Sequence, residues 1–447
     1  MTSPVRTVNP ATGEVIQEFN YQNAASVEQA MVAGVEAYHH WGLVGLATRL
    51  ECVRVFAEEL ASGRLALAEM MTAEMGKTIK DSMAEIDKCI KSSTYIRENY
   101  PKWKTSLEYQ NALGFSVTYE PMGLLLGIMP WNFPLWQVVR FAVPALLGGN
   151  AILLKHAAMT FGSAELIADF FKMAFPDGLY QNLLIDHDVS ARLIADPRVR
   201  GVSLTGSRRA GVTVGRLAGE HLKKCVLELG GSDAYVILDD ADLDLAAKMC
   251  AAGRLVNAGQ SCVAAKRFIV TKKNSQAFTE KLVAEMKAAP TLAPMARGDL
   301  RDELQKQVDE SVRLGARKIL GGEIPSGQGF FYPASVLDKV KPGMPAFDDE
   351  LFGPVAAVIE ALDEKQAFSL ANRSIYGLGG AIFSRDVKRA QELARTQMDC
   401  GMVCINDFIK SDASAPFGGV KDSGLGRELG REGCFEFTVV KSVFTPV

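Results

Sequence analysis

From Gly123 onward the chain alternates short apolar runs with longer stretches of helical spacing. Leu124 to Met129, Ala151 to Lys155, Leu183 to Ile185 and Val202 to Leu204 are strand-like, and helical patterns ending at Leu147 and Ala174 separate the first three. A second series follows at Ala234 to Leu238, Phe268 to Val270, Val355 to Ile359 and Gly380 to Phe383. Strand alternating with helix predicts a parallel, doubly wound sheet, because parallel neighbours need a crossover long enough to contain a helix. The fold class is α/β.

The chain before Gly123 follows another pattern. Val5 to Phe19 predicts short strands around the turn-rich Asn9-Pro10-Ala11-Thr12-Gly13, and Ser26 is a candidate cap for a helix running through His40. Leu50, Val53, Ala57 and Leu60 keep helical spacing, and helical composition continues to Asn99. Phe115, Val117 and Tyr119 then alternate with polar neighbours, as a half-exposed strand does, and Phe435 to Phe444 is also strand-like.

Composition narrows the function classes. A formal net charge of −3 without a basic run argues against nucleic acid or an anionic membrane as the main partner and leaves small molecules as the expected ligands. The sequence offers neither a secretory signal nor an apolar run of membrane-spanning length, so a cytoplasmic location is expected. Eight cysteines lie scattered without paired metal-type spacing, and the five histidines form no ligand-spaced pair, so no metal site is expected.

One cysteine has chemical company. Asn257-Ala258-Gly259-Gln260-Ser261-Cys262 presents a thiol in a loop ahead of the strand-like Lys266 to Val270, and the two basic residues Lys266 and Arg267 could favour its thiolate. Glu228, in Leu227-Glu228-Leu229-Gly230-Gly231, places a carboxylate at a strand end before a sharp turn. Asn132, in Pro130-Trp131-Asn132-Phe133-Pro134, adds an amide on a rigid turn. A thiol, a base and an amide donor are the parts needed to form and then hydrolyse a thioester. On the cofactor side, no G-x-G-x-x-G follows the expected strand, but Thr205-Gly206-Ser207 closes one strand and opens a helix whose N-terminus suits a pyrophosphate.

With Glu350-Leu351-Phe352-Gly353-Pro354 and Pro416-Phe417-Gly418-Gly419-Val420-Lys421, these segments stand in the order found in NAD(P)-dependent aldehyde dehydrogenases, and the chain most resembles the short bacterial succinate-semialdehyde dehydrogenases. The resemblance implies a cofactor-binding domain over 1–107 and 122–228, a catalytic domain over 229–430, and an oligomerisation arm over 108–121 and 431–447 that joins subunits into a homodimer or homotetramer. It implies Cys262 as nucleophile, Glu228 as base for the hydrolytic water and Asn132 as oxyanion donor. NAD or NADP would be bound by Trp131, Lys155, Ser207, Glu350 and Phe352, and the substrate carboxylate by Arg140 and Ser411. Glu428 would help along the water path.

Five positions depart from the family pattern. Ala158 replaces a ribose-holding glutamate, which would repel a 2′-phosphate where alanine does not. Phe141 stands where a relay lysine is common, Arg208 and Arg209 replace smaller or acidic residues, and Val256 stands in for a second substrate arginine, with Arg254 two positions away. The expected reaction is oxidation of succinate semialdehyde through a cysteine thioester. The rivals are a broad-specificity aldehyde dehydrogenase, a coenzyme-A-acylating relative, which Glu228 opposes, and a protein that keeps the fold without catalysis.

Overall fold

The computed structural model describes residues 4–446. Two parallel sheets dominate it. In the first, strands run in the order Gly424–Leu425, Lys224–Glu228, Val199–Thr205, Leu124–Met129, Ala151–His156 and Tyr180–Leu183, all parallel except the short Gly424–Leu425 edge strand. In the second the order is Arg317–Leu320, Ser335–Asp338, Val355–Ala361, Arg267–Thr271, Ala234–Ile237, Gly379–Phe383 and Met402–Ile405, with only the first pair antiparallel. Strands Leu124–Met129 and Ala151–His156 are buried along nearly their whole length because helices cover both faces, so they read as continuous apolar runs.

Register brings the chemistry together. In the first sheet Ile128 pairs with Lys155 and Thr205 with Glu228, so Met129, Lys155, Thr205 and Glu228 all reach one carboxyl-terminal edge. In the second, Ala234 pairs with Arg267 and Arg267 with Ala357, so the segments entering these strands, which contain Gly231, Cys262 and Glu350, share the opposite, amino-terminal edge. The chain crosses between the sheets over residues 229–233, where the two edges meet. Ligands of open parallel sheets bind beyond such carboxyl-terminal edges.

A third sheet stands apart. Thr438–Phe444 pairs antiparallel with Phe115–Pro121, which also takes Tyr109–Gln110. Val440, Val443 and Phe444 remain exposed on it.

Several elements differ from expectation. Asn23, not Ser26, caps the first helix, Ala24–Trp41, and accepts the Ser26 N–H at 2.9 Å. The strand expected at Leu183 to Ile185 lies earlier, at Tyr180–Leu183, where Gln181 and Asn182 interrupt its apolar pattern. The helical layer is three helices, Leu46–Ser62, Arg64–Met75 and Ile79–Leu107, broken at Gly63 and at Gly76, whose φ of 87° is left-handed. No helix among the described residues is long and apolar enough to cross a membrane. All eight cysteines are free thiols.

Candidate active site

The cysteine loop is a strained segment pinned from several sides. Asn257, Ala258 and Gly259 take left-handed φ values of 54°, 52° and 77°, a conformation that costs a β-carbon-bearing residue free energy and persists only where its surroundings enforce it. At Gly259 a Cβ would meet the Gly353 carbonyl carbon at 2.3 Å, so glycine is required there by space as well as by φ. The loop's carbonyls are gathered by two buried cations. Arg254 donates to Gly259 O at 2.6 Å, and Lys266 donates from Nζ to the carbonyls of Ser261, Cys262 and Ala264 at 3.0, 2.7 and 3.2 Å. Gln260 Oε1 accepts the Ala296 N–H at 2.8 Å.

Asn132 is tied to the same loop. Its Nδ2 donates to Gln260 O at 3.0 Å, and Asn257 Nδ2 donates back to Asn132 O at 2.9 Å. Gln137, the second residue of helix Trp136–Leu147, donates to Asn132 Oδ1 at 2.8 Å and so fixes which end of the amide faces Cys262's loop. An amide nitrogen carries two N–H groups, and one remains for a ligand. The turn is anchored from behind by Glu85, whose Oε1 accepts Leu135 N–H and Trp136 N–H, each at 2.9 Å, while Lys77 donates to Oε2 at 2.5 Å.

The electrostatics differ from the sequence expectation of a stabilised thiolate. Burial pushes the Cys262 thiol up to about 12, with Arg140 and Lys266 pulling it only part of the way back. Arg267 does not contribute: its guanidinium turns away to Ser232 O, Leu370 O and Ala371 O at 2.9, 3.0 and 2.9 Å. Glu228 is 2% exposed and neither carboxylate oxygen has a hydrogen-bond partner among the described residues. Burial, then the neighbouring Glu428 charge, hold its carboxyl well above the usual carboxylate range, against Arg140 and Arg427. A protonation level raised in this way suits a general base that works near neutral pH.

Arg140 is already engaged. Its Nε pairs with Glu428 Oε2, its Nη2 donates to Thr205 Oγ1 at 3.0 Å, and it lies 4.7 Å from the centroid of Phe417. Ser411 Oγ, the other expected carboxylate ligand, accepts from Lys88 Nζ at 2.6 Å and from Trp136 Nε1 at 3.2 Å. Phe141 packs edge-on against Phe437 at 5.4 Å and carries no proton, so the charged neighbours of Glu228 are Glu428, Arg140 and Arg427.

The cofactor-side residues also gather. Trp131 and Phe352 meet edge to face at 5.8 Å. Glu350 Oε1 accepts the Gly231 N–H at 3.0 Å and lies 3.5 Å from Lys266 Nζ. Ser207 caps helix Arg208–Glu220 by accepting the Ala210 N–H at 3.3 Å. Arg208 pairs with Asp422 at 2.7 Å on the surface.

Residues 2–443 match the model of the aldehyde dehydrogenase family. The chain belongs to that family. It is 44% identical over 452 residues to the succinate semialdehyde dehydrogenase (NAD(P)+) Sad of Escherichia coli strain K12, covering 98% of this chain and 97% of that protein. It is 42% identical to a succinate-semialdehyde dehydrogenase (NADP(+)) of Deinococcus radiodurans, covering 98% and 94%. Among solved structures, a succinic semialdehyde dehydrogenase from Streptococcus pyogenes in complex with NADP+ superposes with a TM-score of 0.96 at 33% identity, over 99% of this chain and 100% of that one.

Within this family fold, Gln137 and Lys88 escape sequence reading, and Lys266 and Arg254 take roles other than those their positions suggest. Gln137, Lys266, Arg254 and Lys88 act on partners through contacts that the local sequence does not signal. Arg254, two positions from the expected substrate arginine, faces the loop backbone instead of a ligand.

Proposed function

We propose that this protein oxidises succinate semialdehyde to succinate with NAD or NADP, in the cytoplasm and as a homodimer or homotetramer joined through the exposed arm. The observation that carries the reading is the meeting of three groups: the Asn132 amide hydrogen-bonded into the Cys262 loop, and the unpartnered, buried Glu228 carboxylate within electrostatic reach of Cys262. Cys262 Sγ, once deprotonated, attacks the aldehyde carbon. The oxyanion so formed is stabilised by the free Asn132 N–H and the Cys262 backbone N–H. A bound nicotinamide would supply the hydride acceptor for that carbon, so that the oxyanion could collapse to the carbonyl of a thioester on Cys262. Glu228 then takes a proton from water, the resulting hydroxide adds to the thioester, and Sγ departs as the acid is released. Glu428 and Arg140 set the charge around Glu228 during that proton transfer.

The residues present fit the dinucleotide. Lys155 is buried at a strand end, its ammonium pulled down by burial, and it has no ion-pair partner among the described residues. Ser207 opens a helix N-terminus at the same sheet edge, a ready site for a pyrophosphate. Glu350 would meet the nicotinamide ribose, beside Trp131 and Phe352. Ala158, just beyond the Lys155 strand, leaves a 2′-phosphate unopposed. The Escherichia coli relative is an NAD(P)+ enzyme and the Deinococcus radiodurans relative an NADP(+) enzyme, which supports acceptance of both forms.

The test is an aldehyde panel run with each cofactor on wild type and Ala158→Glu. Wild type should reduce both cofactors with succinate semialdehyde preferred to butanal. The variant should lower the NADP-to-NAD ratio of kcat/KM by about tenfold or more, since a carboxylate repels the extra phosphate. Preference for butanal would reject the substrate assignment, and an unchanged cofactor ratio would reject the role of position 158.

A further inference from the structure

Lys88 is an ammonium without a counter-ion in the region where a substrate carboxylate is expected. It projects from helix Ile79–Leu107, is part-buried, and donates from Nζ to Ser411 Oγ at 2.6 Å while lying 4.0 Å from the centroid of Trp136. Trp136 Nε1 donates to the same Oγ at 3.2 Å. The Ser411 hydroxyl thus accepts from two donors, and its own hydrogen is left to donate elsewhere.

A cation withdrawn from water is costly unless an anion compensates it. Among the described residues no carboxylate forms an ion pair with Lys88; Glu85 and Asp412 act on it only from a distance, and Arg140 opposes them. Burial pulls the ammonium down to about 8, the signature of a charge short of compensation. Glu85 is occupied by Lys77 and by two backbone N–H groups, and Arg140 by Glu428 and Thr205. Of these two cations, Lys88 is therefore the one with charge to spare. Trp136, which bonds Ser411, stands next to Gln137, which holds Asn132, so the Lys88–Ser411 pair flanks the turn that carries the oxyanion donor.

We propose that Lys88, together with Ser411, is the specificity-determining cation that binds the carboxylate of an ω-carboxylated aldehyde, in place of the second arginine that Val256 lacks. The inference rests on the substrate reading above and names the group that enforces it. An incoming carboxylate accepts from Lys88 Nζ and from the Ser411 hydroxyl, and the aliphatic part of the lysine keeps its packing against Trp136.

The experiment compares wild type, Lys88→Met and Lys88→Arg with succinate semialdehyde and with butanal, at saturating cofactor. Lys88→Met should lower the ratio of kcat/KM for succinate semialdehyde to that for butanal by about 10- to 150-fold, the range expected for losing a charge-assisted hydrogen bond. The loss should appear mainly in KM, and Lys88→Arg should recover part of it. Reduced-cofactor titration monitors folding of each variant, because a collapsed protein would lose both substrates and the cofactor together. If wild type prefers butanal, the substrate reading itself fails. If wild type prefers succinate semialdehyde and Lys88→Met keeps that preference, or loses both substrates equally while still binding cofactor, Lys88 is not the selecting group.

Discussion

A thiol withdrawn from water loses more from ionising than a free one, and the half-buried Cys262 meets that cost in this protein even though two cations lie near it. Lys266 is the closer reason for the disparity: its three N–H donors are spent on the carbonyls of residues 261, 262 and 264, so it holds the loop in shape and stabilises Sγ only through space. The consequence is measurable without substrate. Because only the thiolate is alkylated, and the folded thiol sits at about 12, the rate of iodoacetamide labelling at Cys262 in the cofactor-free protein should climb about tenfold per pH unit from roughly pH 6 to roughly pH 9 without levelling off. Peptide mapping separates Cys262 from the other cysteines. A plateau below about pH 8 would mean that the thiol is activated by its neighbours before the cofactor arrives.

At the scale of elements, the loop before strand Arg267–Thr271 and the turn before helix Trp136–Leu147 act as one unit, cross-linked by hydrogen bonds from Asn132 and Asn257. The three left-handed residues bend the loop back toward Gly353, and only a glycine fits at the closest approach. Gly259→Ala should lower the urea midpoint, with a loss of about 1–3 kcal/mol, and depress activity further than stability alone explains, because the displaced backbone carries Cys262 with it. An unchanged midpoint with full activity would show that the Gly353 segment yields freely. The strands that frame this unit were legible as apolar runs because helices bury both their faces, whereas Ser335–Asp338 and Met402–Ile405 were not read from the sequence. The loop's own conformation was not legible, since Asn257 and Ala258 carry no local mark of a left-handed backbone.

Over the whole molecule, the family membership of the chain rests on the match over residues 2–443. Cys262, Asn132 and Glu228 could be picked out from sequence because each sits in a motif of its own. Lys88 could not, because its partner Ser411 is 323 residues away and only the folded chain brings them together. Arg140 shows the converse: its position suggested a substrate ligand, but Glu428 arrives from the far end of the chain to occupy it. In the proposed reaction Cys262 carries the acyl group and Glu228 releases it. Glu228→Gln, mixed rapidly with succinate semialdehyde and NADP, tests it most directly by following reduced cofactor and the mass of the Cys262 peptide. The account predicts a burst of about one reduced cofactor per subunit, a succinyl group retained on Cys262, and steady turnover lower by about 100- to 10,000-fold. Absence of the burst, or an acyl group found on another residue, would contradict it.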